Sequence, residues 1–567
     1  MSVFQSRPWL SQYAPGVPAD IAVTTQTLVD MMDESVTRFG PNTALDFFGE
    51  VISYAQLGER IDRVAASLAE RGVGHGHRVA IVLPNCPQHV IAFYAVLRLG
   101  AIVVEHNPLY TAAELRHQFA DHGAHVAIVW DNAVETVRGF AEQLGITTLV
   151  GVDMTREMPF GTRAMLRLPI ARARTSRAAL TSGGLPAGVV PWRTLEQGPR
   201  LAAGHPRPAL DDVAALQYTS GTTGRPKGAI LTHRNLRANA AQGRAWVPGL
   251  VEGEEVVYAA LPMFHAYGLT LCLTFAMSIG ARLVLLPKFT VELVLEVMRR
   301  TPATFLPAVP PIYQRLASGA AEKGVSLDGI RFAISGAMSL PVSTVETWES
   351  ATGGLLVEGY GMTESSPVAV GNPMGPSRRP GTVGVPFPST TIRVVDPDDT
   401  SIDRGFDEEG ELLLQGPQVF QGYWNKPDET AATLLPGGWL RTGDIVRVSP
   451  DGFVTIVDRI KELIITGGFN VAPSEVERVL AEHPSVASAA VVGLDSPQGG
   501  EELVAAIVLA EGATLDTEAL RTHAKRSLAA YKVPRQFTVL DALPVSLIGK
   551  VLRREVREQL QAAVDAR

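Results

Sequence analysis

Tyr218-Thr219-Ser220-Gly221-Thr222-Thr223-Gly224-Arg225-Pro226-Lys227-Gly228 gathers hydroxyls, glycines and one lysine into a single loop. Gly221 and Gly224 let the backbone turn sharply and bring its N–H groups close to phosphate oxygens. Thr219, Ser220, Thr222 and Thr223 add hydroxyl donors, and Lys227 adds a positive charge. The combination suits a nucleotide polyphosphate. A Walker loop is excluded, because that motif needs Gly-x-x-x-x-Gly-Lys followed by Ser or Thr, and neither the glycine spacing nor Gly228 fits.

Upstream of the loop the pattern alternates between helix and strand. Ser53 opens a helix with Leu57, Ile61, Val64 and Leu68 at helical spacing, stopped by Gly72. Val79–Leu83 reads as a strand, Gln88–Leu99 as a helix and Ala101–Val104 as a strand; Thr111 and Glu114 form a capping box, and Val126–Trp130 is the next strand. Such alternation predicts a parallel sheet with helices on its faces, whose ligands sit at the carboxyl ends of strands. The loop follows the strand pattern of Val213–Tyr218.

Downstream, Gly410–Gln415 and Val419–Trp424 have an all-β look that predicts a small sheet or distorted barrel. A third pattern begins after residue 461. Ser474 and Glu477 form a capping box, Val486–Val492 is an apolar strand, Asp516 caps a helix running towards Ala530, and Phe537–Leu540 is a final strand. The fold class is therefore α/β, with a large N-terminal domain of parallel sheets flanked by helices, a small β subdomain, and a small mobile α+β C-terminal domain.

At 567 residues the chain exceeds the roughly 250–300 that one core supports. Its net charge of −8 argues against a nucleic-acid partner. Cys86 and Cys272, far apart in apolar surroundings, support neither a disulfide framework nor a cysteine metal site, and a cytoplasmic location is the default expectation. No signal peptide is expected over Met1–Asp20. Tyr258–Ala281 carries no formal charge, but Pro262 and His265 leave its apolar part too short to span a bilayer; a buried core helix is expected there.

Five further segments join the loop in a fixed order. They are Pro262-Met263-Phe264-His265-Ala266-Tyr267-Gly268, Gly359-Tyr360-Gly361-Met362-Thr363-Glu364, Gly438-Trp439-Leu440-Arg441-Thr442-Gly443-Asp444, Asp458-Arg459-Ile460-Lys461-Glu462-Leu463-Ile464, and Gly549-Lys550. Together they resemble the adenylate-forming enzymes, the superfamily of acyl-CoA synthetases, luciferases and peptide-synthetase adenylation domains. The N-terminal third, notably Asn107-Pro108-Leu109-Tyr110-Thr111, is most similar to bacterial medium- and long-chain fatty acid:CoA ligases.

The resemblance implies a function and a set of roles. A fatty acid, ATP and CoA become acyl-CoA, AMP and pyrophosphate through an acyl-adenylate; ATP, Mg²⁺ and CoA are the small molecules required. Thr219, Ser220, Gly221, Thr222, Thr223, Gly224 and Lys227 hold the phosphates, and Gly359, Tyr360 and Gly361 line the adenine, with Tyr360 stacking on it. Thr363 binds the α-phosphate, Glu364 holds Mg²⁺, Asp444 takes the ribose hydroxyls with help from Arg459, and Lys550 reaches the carboxylate and α-phosphate. His265 is either a gate between acyl site and nucleotide or a core histidine. Ser335, Gly336 and Ala337 resemble the acyl-pocket strand, with Leu306, Val309 and Ile312 suited to an aliphatic tail. Lys288, Gly467, Gly468, Phe469 and Asn470 are the CoA-side residues, although two adjacent glycines also suit a simple hairpin turn. The implied domains are 1–457, a hinge at 458–461 pivoting on Lys461, and 462–567. Leu547 and Ile548 depart from the small polar residues usual before the lysine.

An aryl acid:CoA ligase and a nucleotide-binding sensor without turnover stand as the alternatives. The substrates are small molecules; homodimer formation is left open. Arg163, Arg167, Arg172, Arg174 and Arg177 fall in a stretch without acids, interleaved with Met165, Leu166, Leu168 and Ile170. That stretch is either a solvated basic loop or a peripheral contact with an anionic inner-membrane surface.

Overall fold

The computed structural model describes residues 2–219, 226–466, 469–495, 501–546 and 549–565. The chain forms two compact units: Trp9–Thr391 with Leu414–Leu440, and Met1–Pro8 with Ile392–Leu413 and Arg441–Arg567.

The larger unit is built on two sheets. Among the described residues one has seven strands and the other nine. In the first, Arg78–Val82 pairs in parallel with Ile102–Glu105 and Val126–Trp130, which in turn pairs with Thr148–Val152. These strands are buried along almost their whole length, as short apolar runs covered by helices on both faces must be. Val213–Thr219 adds in parallel to Ile102–Glu105, and Lys227–Thr232 returns antiparallel beside it. The helices start where their caps dictate. Ser53 and Gln56 close a capping box on Tyr54–Glu70, and Thr111 and Glu114 close another on Ala112–His122.

In the nine-stranded sheet Val256–Ala259, Phe305–Ala308, Phe332–Ser335 and Leu355–Gly361 run in parallel, with Val368–Gly371 antiparallel at the far side. One face carries a core of Leu306, Tyr313, Ala333, Trp348 and Leu356. The uncharged stretch near 258–281 splits into the strand Val256–Ala259 and a buried helical segment, 266–278, whose middle turn Leu269–Thr274 is π-helical. Among the described residues no helix is long and apolar enough to cross a membrane.

In the smaller unit, Trp439–Val448 pairs antiparallel with Val454–Arg459 and lies beside Glu409–Gln415. The expected strand at Val419–Trp424 is not formed. That segment of the larger unit is irregular, touching Lys227–Thr232 through the isolated bridge Ala229–Tyr423. Beyond Lys461, the strands Val486–Asp495, Glu501–Leu509 and Gln536–Val539 make a three-stranded sheet. Val491, Ala505 and Ile507 face the helices Pro473–Ala481 and Thr517–Lys525, while Ala490, Val492 and Ala506 face Arg553–Asp565. Period-two alternation thus feeds two cores from one sheet.

Two local expectations are corrected here. The helix capped by Asp516 ends at Lys525 rather than near Ala530. The capping box of Ser474 and Glu477 does not form, because Pro473 starts the helix two residues early, with Ala472 at the cap. Ser474 instead donates its N–H and hydroxyl to the buried Asp458, at 3.0 and 2.9 Å.

Candidate functional site

In the larger unit the phosphate-loop hairpin sets its two ends face to face, since Thr219 lies opposite Lys227 in the antiparallel register. Ser220, Gly221, Thr222, Thr223 and Gly224 lie outside the described residues. Lys227 Nζ sits 4.3 Å from the centre of the Tyr423 ring, within cation–π distance. The Tyr423 hydroxyl donates to Glu364 Oε1 at 2.6 Å. Burial, followed by the adjacent Glu364 carboxylate, raises the Tyr423 phenol well above its ordinary value, so it stays protonated as a donor. One tyrosine therefore links the loop lysine to the carboxylate expected to hold a metal.

Backbone bonds fix that tyrosine. The N–H of Phe420 donates to Glu364 O at 2.9 Å, and that of Trp424 donates to Gly228 O at 2.8 Å. Glu364 itself is 6% exposed and stands with Thr363 in the short turn Thr363–Ser365 that follows Leu355–Gly361. Gly361 cannot be replaced by a larger residue, because an added Cβ would fall 1.8 Å from Pro367 O. Tyr360 is buried opposite Val370, and Gly359 pairs with Gly371.

The acyl-side residues cluster separately. His265 caps the helical segment 266–278, its Nδ1 accepting from the Tyr267 N–H at 3.4 Å. Burial pushes its imidazole down to about 4, so it is neutral at physiological pH. Tyr267 donates to Ile334 O at 2.7 Å, and a Cβ on Gly336 would approach its ring to 3.1 Å. Ala337 follows at φ 66°, a left-handed turn at the strand end. Ser335 pairs with Glu358, whose carboxyl burial raises to about 8. Leu306 and Val309 are buried, with Ile312 half-buried against the same core. Lys288 is exposed in the turn after Arg282–Leu285.

In the smaller unit Asp444, Arg459 and Lys550 come together. Asp444 is 3% exposed, opposite Arg459 in the strand register, with Arg459 Nε 3.0 Å from Asp444 Oδ1. The Asp444 N–H donates to Thr442 Oγ1 at 3.1 Å, and the Thr442 hydroxyl donates to Leu412 O at 2.8 Å. Lys550 rides on a tight turn: Gly549, at φ 78°, donates its N–H to Ser546 O, and Ser546 donates to Lys550 O. Burial, then the positive charge of Arg459, pulls its ammonium down to about 8, while Glu462 and Asp444 act in the opposite direction. Arg553 grips Glu477 through two bonds and pairs with Glu462, tying the helix after the lysine to the segment around Lys461. Lys461 lies in the single turn Ile460–Glu462. Phe469 and Asn470 pair with Thr466 and Ile465 in a hairpin, and Gly467 and Gly468 lie outside the described residues.

Two sets of groups result: a lysine, tyrosine and carboxylate in the larger unit, and an aspartate, arginine and lysine in the smaller. Both are suited to an anionic substrate carrying hydroxyls. A family model described as AMP-binding enzyme matches residues 32–424, and one for the C-terminal domain of AMP-binding enzymes matches residues 475–550. This chain belongs to the AMP-binding enzymes.

The AMP-binding enzyme is 36% identical to the long-chain-fatty-acid–CoA ligase of Bacillus subtilis (strain 168), over 98% of each chain. It is 37% identical to the protein of the same name from Yersinia pestis, over 97% of this chain and 98% of that one. Among solved structures, ATP-bound MatB from Rhodopseudomonas palustris is similar to this AMP-binding enzyme with a TM-score of 0.79 at 30% identity, covering 94% of this chain and 99% of that one. Tyr423, which joins Lys227 to Glu364, is not singled out by any of the sequence motifs. Its signal is tertiary, a ring set between two motif residues.

Proposed function

We infer that this AMP-binding enzyme is an ATP-dependent fatty acid:CoA ligase, an AMP-forming acid–thiol ligase. The observation that carries the reading is the end-to-end match to ligases of long-chain fatty acids, over 97–98% of this chain. An aryl-acid relative, 4-coumarate–CoA ligase 5 of Oryza sativa subsp. japonica, matches at 34% identity over 91%.

A carboxylate is a poor electrophile because oxide would have to leave, so it attacks the α-phosphate of ATP and displaces pyrophosphate. The CoA thiolate then attacks the acyl-adenylate carbonyl and expels AMP. Charge gathers at phosphorus in the first step, and cations stabilise it. Lys227 and the phosphate-loop hydroxyls are assigned the phosphates, Thr363 the α-phosphate, Asp444 with Arg459 the ribose, Tyr360 the adenine and Lys550 the reacting centre. Glu364, a buried carboxylate bonded by the Tyr423 hydroxyl, fits Mg²⁺, which favours one or two carboxylates plus substrate phosphates over an all-protein cage. Glu364 would hold the ion, which neutralises phosphate charge when bound. Lys461 is assigned the pivot by which residues 462–567 present Lys550 for adenylation and then 467–470 for thioester formation. Ser335, Gly336, Ala337 and His265 are assigned to the acyl chain, and Lys288 to CoA.

The lowered Lys550 gives a pH signature. Only its ammonium form stabilises the phosphorane charge, so kcat/KM for ATP is expected to be full below about pH 7 and to fall as pH rises through about 8. Initial rates of ATP–pyrophosphate exchange at fixed ionic strength measure it. A flat profile across that range would remove the free-enzyme lysine from the step.

The reading is tested by AMP release with CoA across acetate, octanoate, palmitate, benzoate and cinnamate. The highest kcat/KM is expected with octanoate or palmitate. Preference for benzoate or cinnamate would transfer the chain to the aryl acid ligases.

A further inference from the structure

From Met158 to Leu195 the chain holds no Asp or Glu but six arginines, in a molecule of net charge −8. This segment lies between two neighbouring strands of the seven-stranded sheet, Thr148–Val152 and Val190–Pro191, and forms the short helices Phe160–Leu166 and Ala171–Ala178. Both ends are pinned. The flanking acids Glu157 and Glu196 are each bonded to Arg60, at 2.6–2.8 Å and 2.6–2.9 Å. Asp131 accepts from the Thr181 hydroxyl and from the Ser182 N–H, while Trp130 Nε1 donates to Leu180 O at 3.0 Å.

Between these pins the segment offers solvent both charge and apolar surface. Arg167, Arg172, Arg174 and Arg177 are exposed and Arg163 is half-buried; among the described residues none of the five has an ion-pair partner. Phe160 is 79% exposed, Met165 60%, Ile170 53% and Leu168 48%. Four large apolar side chains left outside in eleven residues are a patch rather than the scattered exposure of an ordinary surface. Because the flanking acids are already bonded to Arg60, they do not neutralise the arginines.

We propose that the helix pair 160–178 is a docking surface for an anionic lipid bilayer, with Phe160, Met165, Leu168 and Ile170 entering the interface and the five arginines meeting lipid phosphates. Charge and apolar burial are separate attractions, and stable peripheral attachment needs two of them. Charge selects the occupant: the patch is cationic, so it favours anionic over zwitterionic surfaces. Its exposed apolar residues distinguish a bilayer from a soluble polyanion, which offers nothing for them to enter.

The full chain is mixed with vesicles of phosphatidylcholine alone or with added phosphatidylglycerol, at low and high salt, without substrate, which keeps the result separate from that of ligase activity. Co-sedimentation is expected only with the anionic vesicles and is expected to weaken with salt. Replacing all five arginines by glutamine is expected to lower the partition coefficient at least about a hundredfold, since each arginine at an anionic surface contributes roughly fivefold. All five replaced positions lie on the surface outside the two site clusters, and an unchanged thermal midpoint confirms folding. In a second variant, Ile170→Cys carries an environment-sensitive fluorophore, the native Cys86 and Cys272 being buried. A blue shift on anionic vesicles and none on heparin supports insertion. Equal sedimentation of parent and glutamine variant, or binding to heparin and vesicles alike with no shift, overturns it.

Discussion

Lys550→Ala is expected to lower fatty-acid-dependent ATP–pyrophosphate exchange by about 10²–10³-fold or more, the loss typical of removing one preorganised charge-stabilising donor. The same variant, given preformed acyl-adenylate and CoA, is expected to make thioester at close to the parental rate. The asymmetry follows from where charge develops. Adenylation builds it at phosphorus, while thioester formation expels AMP from an anhydride that is already activated. The lysine is held in place on a turn closed by Ser546 and Gly549, and its ammonium is lowered to about 8 by burial and Arg459. Equal losses in both half-reactions would show that Lys550 supports the fold or the nucleotide generally rather than the first step.

Lys461→Pro is expected to give the mirror image. Proline fixes φ near −65°, and a hinge works through a few backbone angles. Acyl-adenylate formation is expected to survive, and CoA-dependent turnover to fall by about 10²-fold or more, with acyl-AMP accumulating on the enzyme. Lys461 lies in the single turn Ile460–Glu462, where a proline can be accommodated more readily than inside a long helix. Single-turnover quench with chromatography of the nucleotide products separates the two half-reactions. Normal overall turnover would place the pivot at another residue.

Most of the architecture is legible because it rests on local rules. Buried parallel strands read as short apolar runs: Val79–Leu83 and Val126–Trp130 occur within a residue of their predicted bounds. Capping boxes at Ser53 and Thr111 are equally local, each needing only a partner three residues on. What fails is what depends on distant partners. Val419–Trp424 has a strand's composition, yet its N–H groups are scattered over Gly416, Glu364, Ile230, Thr430 and Gly228. Ser474 has a capping partner in sequence, but Asp458, sixteen residues earlier, takes its donors. At the site, residue types announce their chemistry, whereas Tyr423 joins Lys227 and Glu364 only through the tertiary fold.

The central claim is that fatty acid activation proceeds through an adenylate on this chain. Palmitate-dependent exchange of labelled pyrophosphate into ATP, measured without CoA, tests it most directly. The account predicts exchange that requires palmitate and Mg²⁺, followed on addition of CoA by AMP and palmitoyl-CoA in equal amounts. Nucleotide binding without acid-dependent exchange, or CoA-dependent formation of ADP in place of AMP, would contradict it.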